Sequence, residues 1–133
     1  MTTNTFSHPL LPREFNNMSY LSGDIVHINF PFGEGDTALG APRFKARPAL
    51  LVSDADGNGD FISVAITGAS HHNHSVEIKP TDISQGSMSK ASWVRADKLY
   101  TVNSQAVQQR LARTKPELLA RVRKQLCPAV GCK

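Results

Sequence analysis

The stretch Asp24-Ile25-Val26-His27-Ile28-Asn29-Phe30 reads as a β-strand. Val26, Ile28 and Phe30 alternate with Ile25, His27 and Asn29, the period-2 pattern of a half-buried strand. Pro31 offers no ladder donor and ends the run. Gly33, Gly35, Gly40 and Pro42 break the residues that follow into a long loop. Loops of ~15 residues without structure of their own are uncommon in compact domains and often functional. Pro48 then leads into Ala49-Leu50-Leu51-Val52-Ser53, a short buried strand. Asp54–Asp60 superficially suggests a calcium loop. An EF-hand needs flanking helices and a bidentate Glu, and neither is present, so the segment reads as a hairpin turn.

Further strands follow at Phe61–Ile66, Ser75–Ile78 (an edge), Ala91–Arg95 and Leu99–Val102. Residues 104–113 fit either a turn and a strand or a short helix. Thr114-Lys115-Pro116-Glu117 has the form of a capping box, with the Thr114 hydroxyl on the N3 amide and Glu117 reaching back. Leu118, Leu119, Val122 and Leu126 form one apolar stripe, and Pro128 follows the helix end. The expectation is a mainly β domain, a small antiparallel barrel or half-barrel with a C-terminal amphipathic helix. Residues 1–21 show no period and read as an extension that is mobile or draped over the domain surface, residues 22–126 as the domain, and residues 127–133 as a short tail.

The chain has 133 residues, 40% hydrophobic and 20% charged, the composition of one globular domain. It is too short for a TIM barrel, which needs roughly 250 residues. Its longest apolar run, Ala49–Val52, is far below the ~18 residues of a membrane span. Met1–Leu10 hold no Lys or Arg and no long apolar block, so no secretory signal is read and the expected compartment is the cytoplasm. Cys127 and Cys132 read as reduced thiols on a loose tail.

Charge is concentrated. Residues 105–124 carry Arg110, Arg113, Lys115, Arg121, Arg123 and Lys124 against Glu117, six minus one or +5, while the whole chain is +4. A smaller group is Arg43, Lys45 and Arg47. Such clusters attract polyanions, nucleic acids first among them. The larger cluster also reads as a solvated helical face, and an acidic protein partner is a third reading.

Several segments resemble one family in order and spacing. They are Gly23-Asp24-Ile25-Val26 through Phe30-Pro31, Arg47-Pro48-Ala49-Leu50-Leu51-Val52-Ser53, Val64-Ala65-Ile66-Thr67, Ser92-Trp93-Val94-Arg95-Ala96-Asp97-Lys98-Leu99 and Glu117-Leu118-Leu119-Ala120-Arg121-Val122. The pattern is similar to the MazF/PemK toxins of bacterial toxin–antitoxin systems. That resemblance implies a homodimer of SH3-like barrels. It also implies a metal-independent endoribonuclease, without cofactor, that cuts single-stranded RNA. The ribose 2′-OH attacks the adjacent phosphate, leaving a 2′,3′-cyclic phosphate and a 5′-OH. The implied partners are RNA and a cognate antitoxin. The implied catalytic positions are Arg47 and Thr67.

Those residue types suit the chemistry. Arg presents a fixed fork of donors to phosphate oxygens and stays charged, so it stabilises a phosphorane. Thr offers one hydroxyl to phosphate or to the 2′-OH. Without the resemblance, Arg47 reads as a surface arginine before a strand and Thr67 as a strand-ending threonine. Asp24, Arg43, Lys45, His71, Lys90 and Ser92 are the expected substrate contacts. Some family members carry an Arg and an Asp, acting as acid and base, where Lys90 and Ser92 stand here. Lys90 still suits phosphate, but Ser92 does not replace a carboxylate base. Asp24 reads equally as a strand-start residue bonding backbone.

His71, His72 and His74 read as a polar exposed loop, with acid–base work by His71 and a metal site as sharper alternatives. No metal is expected. Trp93 reads as an anchor of the core or of a subunit interface, or else as a stacking surface for a base. The alternative function is a non-catalytic module of the same fold that binds nucleic acid or protein.

Overall fold

The computed structural model describes residues 19–31, 44–70 and 73–132. They form one seven-stranded antiparallel sheet and a C-terminal helix. The strands are β1 (Asp24–Pro31), β2 (Phe44–Leu51), β3 (Asp60–Thr67), β4 (Ser75–Ile78), β5 (Ile83–Gly86), β6 (Ser92–Asn103) and β7 (Val107–Thr114). The helix is α1 (Pro116–Ala129). In space the strand order is β4-β6-β3-β2-β1-β7-β5.

That order forces the sheet to curl. The two edge strands, β4 and β5, are consecutive in sequence. Laid flat, seven strands about 4.8 Å apart would separate the edges by about 29 Å. Ile78 and Ile83 are five residues apart, and five extended residues span at most about 18 Å. The 3₁₀ turn Pro80–Asp82 shortens the span further. The result is a half-barrel whose open seam is crossed by Lys79–Asp82. Asp82 fastens this crossing. Its carboxylate accepts Lys79 N–H at 2.8 Å and pairs with Arg121 at 2.9 Å, and its carbonyl accepts Lys115 N–H at 2.8 Å.

Two apolar clusters lie on the two faces. Ile25, Leu50, Val64, Ile66, Val94 and Ala112 pack with Leu118, Leu119 and Val122 of α1. Val26, Ile28, Ala49, Leu51, Phe61 and Val102 form the second cluster on the face away from the helix. Strand β1 thus begins buried on both faces, since Ile25 and Val26 are both fully covered. The expected alternation holds further along, with His27 partly covered, Ile28 buried and Asn29 exposed.

Several expectations need correction. Ala91–Arg95 and Leu99–Val102 belong to a single strand, β6, interrupted by a bulge: Val64 opposes Leu99 and Ala65 opposes Arg95. Residues 104–113 resolve into the 3₁₀ turn Ser104–Ala106 and strand β7. The capping box does not form. Thr114 ends β7 and donates its hydroxyl to Gly23 carbonyl at 2.7 Å, leaving Lys115 as N-cap. Pro116 at the first position removes one orphan donor, which lessens the need for a side-chain cap. Pro128 lies inside the last turn, because the helix runs on to Ala129. Cys127 and Cys132 are joined in a disulfide rather than standing as free thiols. The Asp54–Asp60 turn does connect the hairpin β2–β3, and the Asp56 carboxylate accepts the amides of Asn58 and Asp60. The glycine-rich loop falls on residues 32–43, outside the described residues.

Ser19–Leu21, the described part of the expected extension, is bound to the sheet. Arg110 donates to Ser19 carbonyl at 2.7 Å, and its guanidinium carbon lies 4.7 Å from the Tyr20 ring centroid. Residues 1–18 are outside the described residues.

Candidate functional site

The β2–β3 pairing sets Ala49 opposite Ala65, Leu50 opposite Val64 and Leu51 opposite Ser63. That ladder ends at Ala49 and Ala65; two residues past it stand Arg47 on β2 and Thr67 on β3. Thr67 in turn opposes Trp93 on β6, and Trp93 opposes Glu77 on β4. One lateral row of paired residues therefore crosses three strands, Glu77, Trp93 and Thr67, and Arg47 stands on the next strand beyond the last β2–β3 pair. Ile66 and Val94 point into the helix-side core, so by strand alternation the row lies on the opposite face. Arg47 itself pairs with Ile28 on β1, part of the second apolar cluster. Arg47 and Glu77 are exposed, while Thr67 and Trp93 are half-buried.

Each member is held by local structure. Arg47 is in the body of β2, two residues before the fully buried Ala49, so its backbone is fixed on the sheet. The Thr67 hydroxyl accepts Ala69 N–H at 3.1 Å, turning the chain out of β3. Arg95, opposite Ala65 in the adjoining row, makes a two-pronged pair with Asp97 at 3.1 and 2.7 Å. That bonding to Asp97 holds the Arg95 guanidinium above its ordinary pKa.

The other expected contacts are not gathered here. Asp24 is fully buried and bonded to three residues. One oxygen accepts Arg113 Nε at 2.7 Å, and the other accepts Arg110 Nε, Arg113 Nη2 and Leu21 N–H at 3.0, 3.1 and 2.9 Å. A carboxylate with four donors inside the protein and no exposed surface is out of reach of a substrate. Ser92 is buried and donates to Lys90 carbonyl at 3.0 Å. It neighbours Trp93 along β6 and so takes the helix-side face. Lys90 is exposed, just before β6. Lys45 opposes Phe30 in the β1–β2 register, two residues before Arg47. Arg43 and His71 lie outside the described residues. Among the described residues no cluster of three His, Cys, Asp or Glu is arranged to hold a metal ion.

The large basic cluster also dissolves as a single face. Arg110 and Arg113 belong to β7 and grip Asp24. Arg121 pairs with Asp82, and Arg123 donates to Val52 carbonyl at 2.7 Å. Sequence reasoning passed over Arg95 and Glu77. The period-2 spacing Trp93, Arg95, Asp97 was the signal that sets the first two on the face of Thr67.

Comparison with known proteins accords with this architecture. A family model described as PemK-like, MazF-like toxin of type II toxin–antitoxin system matches residues 21–130. The chain belongs to this family of toxins. Its fold is similar to an endoribonuclease in complex with its cognate antitoxin from a mycobacterial species, at TM-score 0.66 and 19% identity, covering 86% of this chain and 98% of that one. It is also similar to MazE–MazF from Deinococcus radiodurans, at TM-score 0.64 and 23% identity, covering 87% and 100%. No curated protein matches the sequence. No helix among the described residues is long and apolar enough to cross a membrane.

Proposed function

We propose that this toxin is an endoribonuclease that cuts single-stranded RNA without a metal ion, and that Arg47 and Thr67 form its catalytic centre. The observation that supports the reading is that exposed Arg47 and strand-ending Thr67 stand on the adjacent strands β2 and β3, each two residues past their last paired positions, Ala49 and Ala65. In the reaction the 2′-oxygen bonds to phosphorus, the P–O5′ bond breaks, and the proton lost by the 2′-OH is balanced by one gained at the 5′-oxygen. Charge builds on the non-bridging oxygens, where Arg47 offers its bidentate donors. Thr67 offers one further bond to phosphate or to the nucleophile. The need for a 2′-OH restricts cleavage to RNA. Arg43, Lys45, His71 and Lys90 are proposed as further substrate contacts.

The neighbours solved with an antitoxin support a protein partner of that kind here. A homodimer is the expected assembly, with the neighbouring exposed side chains of Ile62 and Leu99 as apolar surface to cover. A second reading, a binding module without catalysis, is favoured by the burial of Asp24 and Ser92. Incubation with a long single-stranded RNA in EDTA separates the two. Fragments with 5′-OH ends support the ribonuclease; intact RNA of shifted mobility supports the binder.

A further inference from the structure

We infer that Trp93 is a base-stacking platform, on which one nucleobase of the RNA lies while an adjoining phosphate reaches Arg47. The inference rests on the ribonuclease reading of this face and assigns it a specific subsite.

Position argues for it first. Trp93 is directly across from Thr67, about 5 Å away between strands, and Arg47 stands on the strand beyond, two residues past the last β2–β3 pair. The indole is half-buried, so its ring is braced and still reachable. Its strand neighbours Ser92 and Val94 are buried on the helix side, which commits Trp93 to the face of Arg47.

The surroundings argue for it second. Arg95, next on the same face, is latched by Asp97 through two of its five N–H donors. That pairing leaves Arg95 three N–H donors on the face that carries Trp93. The β6 bulge begins immediately after Arg95, and bulges of this kind re-aim side chains. Ala96 N–H bonds His74 carbonyl at 3.2 Å, and His74 holds a left-handed φ of 57°, so the entry to β4 is pinned against the bulge. Every base has a π-face, so such a platform tolerates sequence.

Trp93 is the only tryptophan in the chain, so intrinsic fluorescence reports on this site alone. The probe is a short single-stranded RNA with 2′-O-methyl riboses, which binds without being cut. Saturable quenching of the emission and shielding from iodide are expected. Trp93→Ala should weaken binding of end-labelled RNA roughly 5- to 150-fold, the equivalent of about 1–3 kcal/mol, and Trp93→Phe should restore much of it. RNA that binds with the emission unchanged, and binds Trp93→Ala as tightly as wild type, overturns the inference. So does an emission that follows protein concentration alone, which would place Trp93 in a contact between copies. Should Trp93→Ala fail to fold, the wild-type quenching and the Trp93→Phe affinity decide. Quenching without cleavage of an unmodified RNA keeps the platform and removes the ribonuclease. Cleavage without quenching does the reverse.

Discussion

The Asp24 carboxylate and the Arg110 guanidinium meet at 3.0 Å, and neither side chain has any exposed surface. Arg113 closes on the same carboxylate at 2.7 Å from its other side. One carboxylate therefore joins the start of β1 to two positions of β7, and through Arg110 it also secures Ser19 and Tyr20. Removing it leaves a buried cation without its counter-charge, which typically costs about 3–5 kcal/mol. Asp24→Ala should lower the urea midpoint accordingly. A variant of unchanged stability that no longer binds RNA would return Asp24 to the substrate.

Arg47→Ala should slow cleavage about 10²- to 10³-fold, the usual cost of one donor aimed at developing charge. Arg47 is exposed in β2, so the variant should remain folded, as its circular dichroism would show. Arg47→Lys should recover little, because an ammonium does not reproduce the planar fork. Single-turnover cleavage of a short RNA checks both. A wild-type rate in Arg47→Ala removes the catalytic assignment.

Thr67→Ala should cost less. One neutral hydrogen bond is worth roughly 0.5–1.5 kcal/mol net, or about 2- to 13-fold in rate. The same hydroxyl accepts the Ala69 amide, so the variant should also loosen the turn after β3. Faster hydrogen exchange at Ala69 would register this.

Asp82 predicts an acid limit to stability. Burial raises its pKa, but the bonds from Lys79 N–H and Arg121 outweigh burial and hold it below the ordinary 3.8. A carboxyl with a depressed folded-state pKa contributes stability that is present above the unfolded value and lost as pH falls through the folded one. Wild type should therefore lose stability below about pH 4 more steeply than Asp82→Asn. Parallel acid-unfolding curves would rule this out.

Gly86 ends β5 at φ +77°, and a Cβ there would run into Leu111 carbonyl and come within 2.8 Å of Ala112 Cα. Both obstacles are backbone in the partner strand. Gly86→Ala should cost about 1–3 kcal/mol from the backbone conformation alone, and more from the collision. Gly57 has open space around it, and Gly57→Ala is the matched control. Equal melting midpoints for the two variants would contradict this.

Wherever one residue sees one environment, the sequence was informative. The alternation in β1, the apolar block Ala49–Val52 and the stripe Leu118, Leu119, Val122 each report local burial, and the core is built from them. What escaped was set by distant partners. Thr114 fits an N-cap by every local rule, yet Gly23 carbonyl, 91 residues away in sequence, claims its hydroxyl. Arg110 and Arg113 look like part of a solvated basic face until β7 pairs with β1. The row Glu77, Trp93, Thr67 exists only through strand register, and no spacing along the chain contains it.

The pairing of β1 with β7 also fixes when this protein can finish folding. The first strand of the sheet finds one of its two neighbours only in the last strand made, with Asp24 opposite Arg113. A ribosome that has delivered six strands has delivered a chain whose oldest strand still has a bare edge and an unanswered carboxylate. Pairings this far apart in sequence are slow to form. The β1 edge therefore stays open until β7 is available, and any product truncated before β7 lacks the strand that locks the first one in place.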